Sequence, residues 1–278
     1  METITERVVA PGSNIPLLLV YEKGCVPRPA VIVLHGTRRS KEIGLQEHDE
    51  YLRGGDFVRI YPDAPLHGER APAGGKFESD ATWQAYLRGE GDALHEVMIP
   101  MVWGLANDVP KVIDYLLTRP ALVLPHFATY GFSVAGLMSL MAAVVEPRLD
   151  AAVTLSAPLR FRFMSVGMNY PWDNESIEEA ERYDPLAHAD CFYPTALLMI
   201  HGTRDDLVPI EAVRHVASRL LPYYAADPRR FKLSEYPHVR HYLDKPEPYV
   251  TTEGAHEILE LRREAKHWLK RFLSSDMA

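Results

Sequence analysis

The sequence predicts an α/β fold in which a mainly parallel sheet of about eight strands is covered by helices on both faces. Short apolar, β-branched runs such as "AVIVLHG" (30–36) alternate with longer segments of helical periodicity. The runs are continuously apolar, as expected for strands buried on both faces. With 278 residues, 47% of them hydrophobic, the chain can bury a large core. We therefore expect a single domain over residues 1–278.

Six runs are predicted to form the main strands. They are 30–36, 56–63, 126–133, 151–158, 195–202 and 230–237. The last is more polar than the others and suits a sheet edge. Two earlier stretches, "RVVAP" and "IPLLLVYEKG", are expected to be antiparallel strands that lead into the sheet.

The segments between these strands are predicted to be helices. Ser40 is a plausible N-cap for a helix that ends at Gly54. The segment 90–120 has helical spacing across Pro100 and Pro110, which predicts a kinked or split helix. The helix after Ser133 is apolar nearly all round, and two amphipathic helices follow in the C-terminal half.

Two long segments, 64–91 and 159–194, fit neither pattern and are predicted to be loops. Both follow strand ends, where open α/β sheets bind ligands. We expect 159–194 to form a short cap or lid over Ser133, at the end of the strand 126–133. Its aromatic and Met side chains would then favour substrates with an apolar acyl or alcohol group. Its apolar residues are Phe161, Phe163, Met164, Met168, Tyr170 and Trp172. The predicted substrate-binding residues are Trp83, Phe161, Met164 and Trp172.

Charge and composition limit the partners and the compartment. The formal net charge of −8 argues against nucleic acid or an anionic membrane surface as a partner. No apolar run approaches membrane-spanning length, and Glu2 and Glu6 stand where a signal peptide is basic. The two cysteines, Cys25 and Cys191, form no disulfide framework. We expect a cytoplasmic protein without membrane contact, and a homodimer is compatible with the sequence.

The stretch "TYGFSVAGLMSL" (129–140) places Ser133 between a strand and a helix. A sharp turn of this kind needs small residues at Gly131 and Ala135, and the helix N-terminus stabilises negative charge beside the serine. Alone, the pattern equally suits a small residue at a strand end. The loop "HGTRRS" (35–40) follows another strand, so the Thr37 and Val134 amides are candidate oxyanion-hole donors.

A nucleophilic serine also needs an acid and a base. "HGTRDDLVP" (201–209) ends a strand and carries two carboxylates, of which Asp205 is favoured as the acid while Asp206 is the candidate cap of the next helix. Histidines after the last strand supply the base. His241 is favoured, with His256 and His238 as alternatives, although each is equally explained as a solvated loop histidine.

Four motifs together resemble the α/β-hydrolase superfamily, and within it the bacterial esterases of the dienelactone-hydrolase and prolyl-oligopeptidase-like branch. They are "HGTRRSKE", "YPDAPLHGER", "YGFSVAG" and "HGTRDDLVP". The resemblance covers about residues 15–273. It implies Ser133 as nucleophile, Asp205 as acid, His241 as base, and the Thr37 and Val134 amides as the oxyanion hole. Arg240 stands where that branch usually has a glycine, and Ala135 replaces the usual last glycine of the turn.

The expected function is that of a serine hydrolase that cleaves small to medium carboxylic esters through an acyl-enzyme, with a small-molecule ester as its partner. This chemistry requires no metal and no organic cofactor. One alternative is an oligopeptidase-like peptidase, which is disfavoured because the chain has no room for a propeller domain. The other is a ligand-binding protein of the same fold with a misaligned triad, an alternative that the Arg240 departure supports.

Overall fold

An eight-stranded sheet runs through the computed structural model, which describes residues 2–24, 27–169, 171–243 and 245–274. Cys25, Tyr170 and the side chain of Met168 lie outside this description. The strands are β1 (Thr3–Ala10), β2 (Ile15–Glu22), β3 (Arg28–Leu34), β4 (Val58–Pro62), β5 (Val123–Phe132), β6 (Leu149–Leu155), β7 (Ala196–Gly202) and β8 (Phe231–Tyr236).

The strand order is β1-β2-β4-β3-β5-β6-β7-β8. β1 pairs with β2 and β2 with β4 in antiparallel register, and every other neighbouring pair is parallel. The predicted antiparallel leaders and the polar edge strand β8 are therefore confirmed. Because the order reverses direction around β3 and β5, the loops that follow these two strands flank a crevice at the carboxyl edge.

Helices cover both faces of the sheet, as predicted. They are α1 (Lys41–Leu52), α2 (Asp80–Leu87), α3 (Ile99–Leu117), α4 (Val134–Val145), α5 (Phe161–Met168), α6 (Asn174–Ala180), α7 (Ile210–Leu220) and α8 (Thr252–Leu273). None of the helices described is long and apolar enough to cross a membrane.

Two separate cores lie on the two faces. Along β3, Ile32 packs into the core beneath α3, α4 and α7, whereas Val31 and Val33 pack into the core beneath α1 and α8. All three side chains are buried, and successive residues of a strand point to opposite faces. This explains why the strands read as continuous apolar runs.

One helix prediction is confirmed in detail. The Ser40 hydroxyl accepts a hydrogen bond from the Ile43 amide at 3.5 Å and so caps α1. The segment 90–120 is not split as expected, because a π-helical turn (Leu94–Met98) continues directly into α3, whose first turn contains Pro100. Pro110 lies inside α3 without ending it.

The prediction that 64–91 and 159–194 are loops is wrong, because both contain helices. α2 lies in the first segment, and α5 and α6 lie in the second. These helices have eight, eight and seven residues, too few for a clear apolar period. A local signal did exist for α6, since the Asp173 carboxylate accepts a hydrogen bond from the Ser176 amide at 2.7 Å.

Candidate active site

Ser133 occupies the turn between β5 and α4 with φ 56° and ψ −128°, a conformation that residues other than glycine rarely adopt. The turn is so tight that a Cβ on Gly131 would lie 2.1 Å from the Ala135 carbonyl oxygen. The Ser133 amide donates to the Leu155 carbonyl at 2.8 Å, which fixes the turn against β6. Ser133 therefore stands at the carboxyl edge of the sheet, at the start of α4.

The structure brings His241, and not His238 or His256, to Ser133. The Ser133 hydroxyl donates to His241 Nε2 at 3.0 Å, and the imidazole is 2% exposed. His238 instead forms a 2.7 Å contact from Nδ1 to Glu257. His256 is 72% exposed on the surface of α8.

Asp205 lies behind His241, and its side chain is fully buried. Its two oxygens accept from His241 Nδ1 at 2.9 and 3.1 Å, which leaves Nε2 as the nitrogen that faces Ser133. Oδ1 also accepts from the Leu207 and Val208 amides at 2.9 and 2.8 Å. These donors orient the carboxylate and compensate for its burial.

The neighbouring carboxylate of Asp206 points elsewhere. It accepts from the Tyr249 hydroxyl at 2.6 Å and from Arg240 at 3.2 Å, and the Arg240 guanidinium stacks 4.4 Å from the Tyr249 ring centre. The expectation that Asp206 caps α7 is wrong, since Pro209 occupies the N-cap position. Arg240 thus ties the loop of the acid to the loop of the base rather than disturbing His241.

Sequence reasoning missed His201, which is buried beside Asp205. Its Nε2–H donates to the Val208 carbonyl at 2.8 Å and lies 3.4 Å from Asp205 Oδ2. Burial lowers the pKa of His201, so the ring stays neutral. Its Nδ1 has no hydrogen-bond partner among the described residues. The available signal was a histidine at the end of a strand, four residues before the favoured acid.

Thr37 and Val134 both line the cavity that opens at Ser133. Val134 is the first residue of α4, whose leading amides have no partner within the helix. The loop that carries Thr37 is held at its start by His35, whose Nδ1–H donates to the Gly36 carbonyl and whose Nε2 accepts from the Ala64 amide, both at 2.9 Å. Burial lowers the pKa of His35 to about 4, which keeps this double contact neutral.

The same loop is held at its other end by a buried ion pair. Asp63, in the motif "YPDAPLHGER", accepts from the Lys41 amide at 2.9 Å, from Lys41 Nζ at 2.6 Å and from the Glu69 amide at 3.0 Å. Gly68 has a φ of 56°, and a Cβ there would lie 2.1 Å from the Asp63 carboxylate. The motif therefore wraps around Asp63, which anchors the residue that follows the loop 35–40.

The predicted substrate-binding residues do not line this cavity. Phe161 and Met164 are fully buried in the core beneath α3 and α4, where Trp172 also packs. Trp83 is 5% exposed and donates to the Phe77 carbonyl at 2.7 Å. No described residue of 159–194 lines the cavity, so this segment is not seen as a cap over Ser133. Phe161, Met164 and Trp172 anchor the segment to the core instead.

The cavity has a volume of about 550 Å³ and a polar outer wall. Around Ser133 it is lined by Phe132, Val134, Leu155, Leu207 and Leu243. A further group of polar residues lines the same cavity and is called its outer wall below: Arg38, Arg39, Gln46, Glu47, His48, Tyr51 and Arg262. This polarity is unlike the apolar pocket expected from the sequence.

Within this wall, Arg39 Nε donates to Glu47 at 2.8 Å and the Arg262 guanidinium stacks 3.3 Å from the Tyr51 ring centre. The His48 ring packs 5.5 Å from that of Tyr130. Burial, followed by the positive charges of Arg262 and Arg39, lowers the pKa of His48 to about 4.

The chain is similar to known proteins in both sequence and fold. Residues 103–275 match the model of the prolyl oligopeptidase family. No functionally curated protein matches the chain in sequence. Among solved structures, TT1662 from Thermus thermophilus is 19% identical, with a TM-score of 0.71 over 99% of this chain and 100% of that one.

Two further structures have the same fold. A candidate dienelactone hydrolase from Klebsiella pneumoniae is 17% identical, with a TM-score of 0.65 over 98% of this chain and 100% of that one. The esterase Pf2001 from Pyrococcus furiosus is 16% identical, with a TM-score of 0.64 over 98% and 94%. The fold is therefore that of the α/β-hydrolase superfamily, as the motifs predicted.

Proposed function

The chain belongs to the prolyl oligopeptidase family, and from that premise we propose that it is a serine hydrolase that cleaves small to medium carboxylic esters through an acyl-enzyme. The observation that carries the proposal is the continuous series of hydrogen bonds from Ser133 through His241 to Asp205, with heavy-atom distances of 3.0 and 2.9 Å. An unrelated function would not require a hydroxyl, an imidazole and a carboxylate aligned in this way.

In the first half of the proposed reaction, the Ser133 oxygen attacks the ester carbonyl while His241 Nε2 takes the hydroxyl proton. Asp205 stabilises the resulting imidazolium and holds the tautomer in which Nε2 faces the serine. The alkoxide leaving group then takes the proton from Nε2, which leaves an acyl group on Ser133.

The negative charge that develops on the carbonyl oxygen needs donors fixed in advance. We assign this role to the Thr37 and Val134 amides, because both residues line the cavity together with Ser133. The dipole of α4 favours the same charge. In the second half, His241 activates a water molecule that attacks the acyl carbonyl, and Ser133 regains its proton.

Ester hydrolysis is preferred over amide hydrolysis because an alkoxide or phenoxide leaves with less assistance than an amine. A peptidase activity is the second candidate, and the family match favours it. Hydrolysis of aminoacyl 4-nitroanilides at rates comparable to those of 4-nitrophenyl esters would reverse this order.

The first test uses a fluorophosphonate, which reacts with activated serines without requiring the natural substrate. Intact-protein mass is measured for the wild type, for Ser133→Ala and for Ser218→Ala, a control on the surface of α7. We expect one adduct on the wild type and on the control, mapped to the Ser133 peptide, and none on Ser133→Ala. A folded wild-type protein that forms no adduct would refute the proposal.

A further inference from the structure

We propose that the preferred substrates are esters whose acyl part carries a carboxylate, such as monoesters of short dicarboxylic acids. This inference rests on the proposed function and names the substrate class for the same site. It comes from the outer wall of the cavity, which differs in charge from the rest of the protein.

The chain as a whole has a net charge of −8, yet the outer wall of the cavity is positive. Of the charged side chains described as lining it, three are arginines (Arg38, Arg39 and Arg262) and one is a carboxylate, Glu47. Arg38 is paired with Asp80, which does not line the cavity, so the positive charge of the wall rests mainly on Arg39 and Arg262. Asp205 is buried behind His241 and does not line the cavity. A cleft with such a wall concentrates anionic ligands in an otherwise acidic protein.

Arg39 is the side chain best placed to bind a carboxylate. It uses Nε for Glu47 at 2.8 Å and Nη1 for a 3.5 Å contact with the Arg38 carbonyl, while Nη2 has no acceptor among the described residues. The side chains of Arg39 and Glu47 are 43% and 31% exposed, so their ion pair is weak and exchangeable. A substrate carboxylate can replace Glu47 and use both arms of the guanidinium.

We assign this charge to the acyl side of the substrate, because Arg39 lies close along the chain to a proposed donor for the acyl carbonyl oxygen. Arg39 follows Thr37, the proposed oxyanion donor, by two residues, which span at most about 7 Å of backbone. The carbonyl oxygen at that donor belongs to the acyl group. His48 is a neighbouring group in the same wall, and its lowered pKa, which Arg262 and Arg39 help to lower, agrees with a positive potential there.

The experiment compares 4-nitrophenyl hydrogen succinate, glutarate and adipate with the neutral 4-nitrophenyl esters of equal acyl length. For at least one length, we expect kcat/KM for the anionic ester to exceed that of its neutral partner about tenfold at low ionic strength, and the preference to fall as salt screens the charges. Arg39→Met combined with Arg262→Met should remove this preference, and Glu47→Gln should increase it. Arg214→Met removes an exposed charge from α7 outside the cavity, and it should change neither the preference for the anionic ester nor its dependence on salt.

The outcomes separate this inference from the function beneath it. Hydrolysis of both ester series without an anionic preference, or a preference that survives in the double variant, overturns the inference and leaves the proposed function standing. If fluorophosphonate labels Ser133 but neither ester series is hydrolysed, the rate of labelling is measured again in the presence of free glutarate. Slower labelling of the wild type, but not of the double variant, supports the inference. An unchanged rate of labelling overturns it. The absence of any labelling overturns both.

Discussion

The ammonium nitrogen of Lys41 lies 2.6 Å from Oδ2 of Asp63, and neither side chain is exposed to solvent. A buried pair of this kind contributes little net stability, because desolvation offsets the attraction. Loss of either partner is nevertheless costly, because it leaves the other charge buried without its counter-charge. Since Lys41 is the first residue of α1 and directly follows the loop of Thr37, the pair determines where that loop ends.

Lys41→Met should leave the Asp63 carboxylate buried without its main counter-charge. We expect the free energy of unfolding to fall by about 3–5 kcal/mol, and kcat for ester hydrolysis to fall as the loop moves. Urea denaturation of this variant and of Lys270→Met, an exposed lysine of α8, provides the comparison. The prediction is wrong if the two substitutions cost the same.

Asp205→Asn should reduce kcat about 10³- to 10⁴-fold, because an amide can hold His241 in the wrong tautomer and cannot stabilise its charged form. The adjacent Asp206→Asn is the matched control. Its carboxylate contacts Tyr249, Arg240 and the backbone amide of His241 but not the His241 imidazole, so we expect a change in kcat of less than about tenfold. Equal losses in the two variants would exclude the assignment of Asp205 as the acid.

Gly131→Ala should destabilise the protein severely, because the new Cβ would lie 2.1 Å from the Ala135 carbonyl oxygen. The atom in the way belongs to the backbone, so rotation of a side chain cannot relieve the clash. We expect the free energy of unfolding to fall by more than about 3 kcal/mol. Gly36→Ala, where a Cβ has open space, tests whether the loss is specific to the turn. Thermal unfolding of both variants measures it, and similar melting temperatures would contradict the prediction.

Acid should destabilise the protein between about pH 6.5 and pH 4. The pKa of His35 is about 4 in the folded protein because of burial, below its ordinary value of 6.5. The unfolded chain therefore binds a proton in this window that the folded protein does not, and stability is lost as the pH falls. His35 contributes on the order of 3 kcal/mol to this loss.

Urea denaturation at pH 7.5, 6, 5 and 4 gives the pH dependence. His35→Gln should flatten the curve only in part, because His48, whose pKa is also about 4, adds a slope of the same sign. A variant curve parallel to that of the wild type would show that His35 does not titrate as described.

His201→Leu should lower kcat about tenfold with little change in KM, because the carbonyl of Val208 loses its donor and Asp205 loses a nearby N–H. His201→Gln, which keeps a nitrogen donor near the position of Nε2, should recover most of the rate. Loss of thermal stability without a change in kcat would mean that His201 acts only in packing.

Much of this arrangement was readable from the sequence because it depends on local rules. The order of strands and helices follows from apolar runs that alternate with helical periods. The position of Ser133 follows from the small residues that a tight strand-to-helix turn requires at Gly131 and Ala135. The carboxyl ends of neighbouring parallel strands meet at one edge, so Ser133 and Asp205 were expected near each other.

The sequence by itself determined the α/β class, the turn at Ser133 and the set of candidate acids and bases, since each depends on contacts between residues close in the chain. Only the tertiary structure decided that His241 reaches the serine while His238 bonds Glu257, that Phe161 and Met164 enter the core, and that Arg39 and Arg262 face the cavity. These outcomes depend on packing between segments distant in sequence. Aromatic side chains serve a core and a pocket equally well, and local pattern does not distinguish the two.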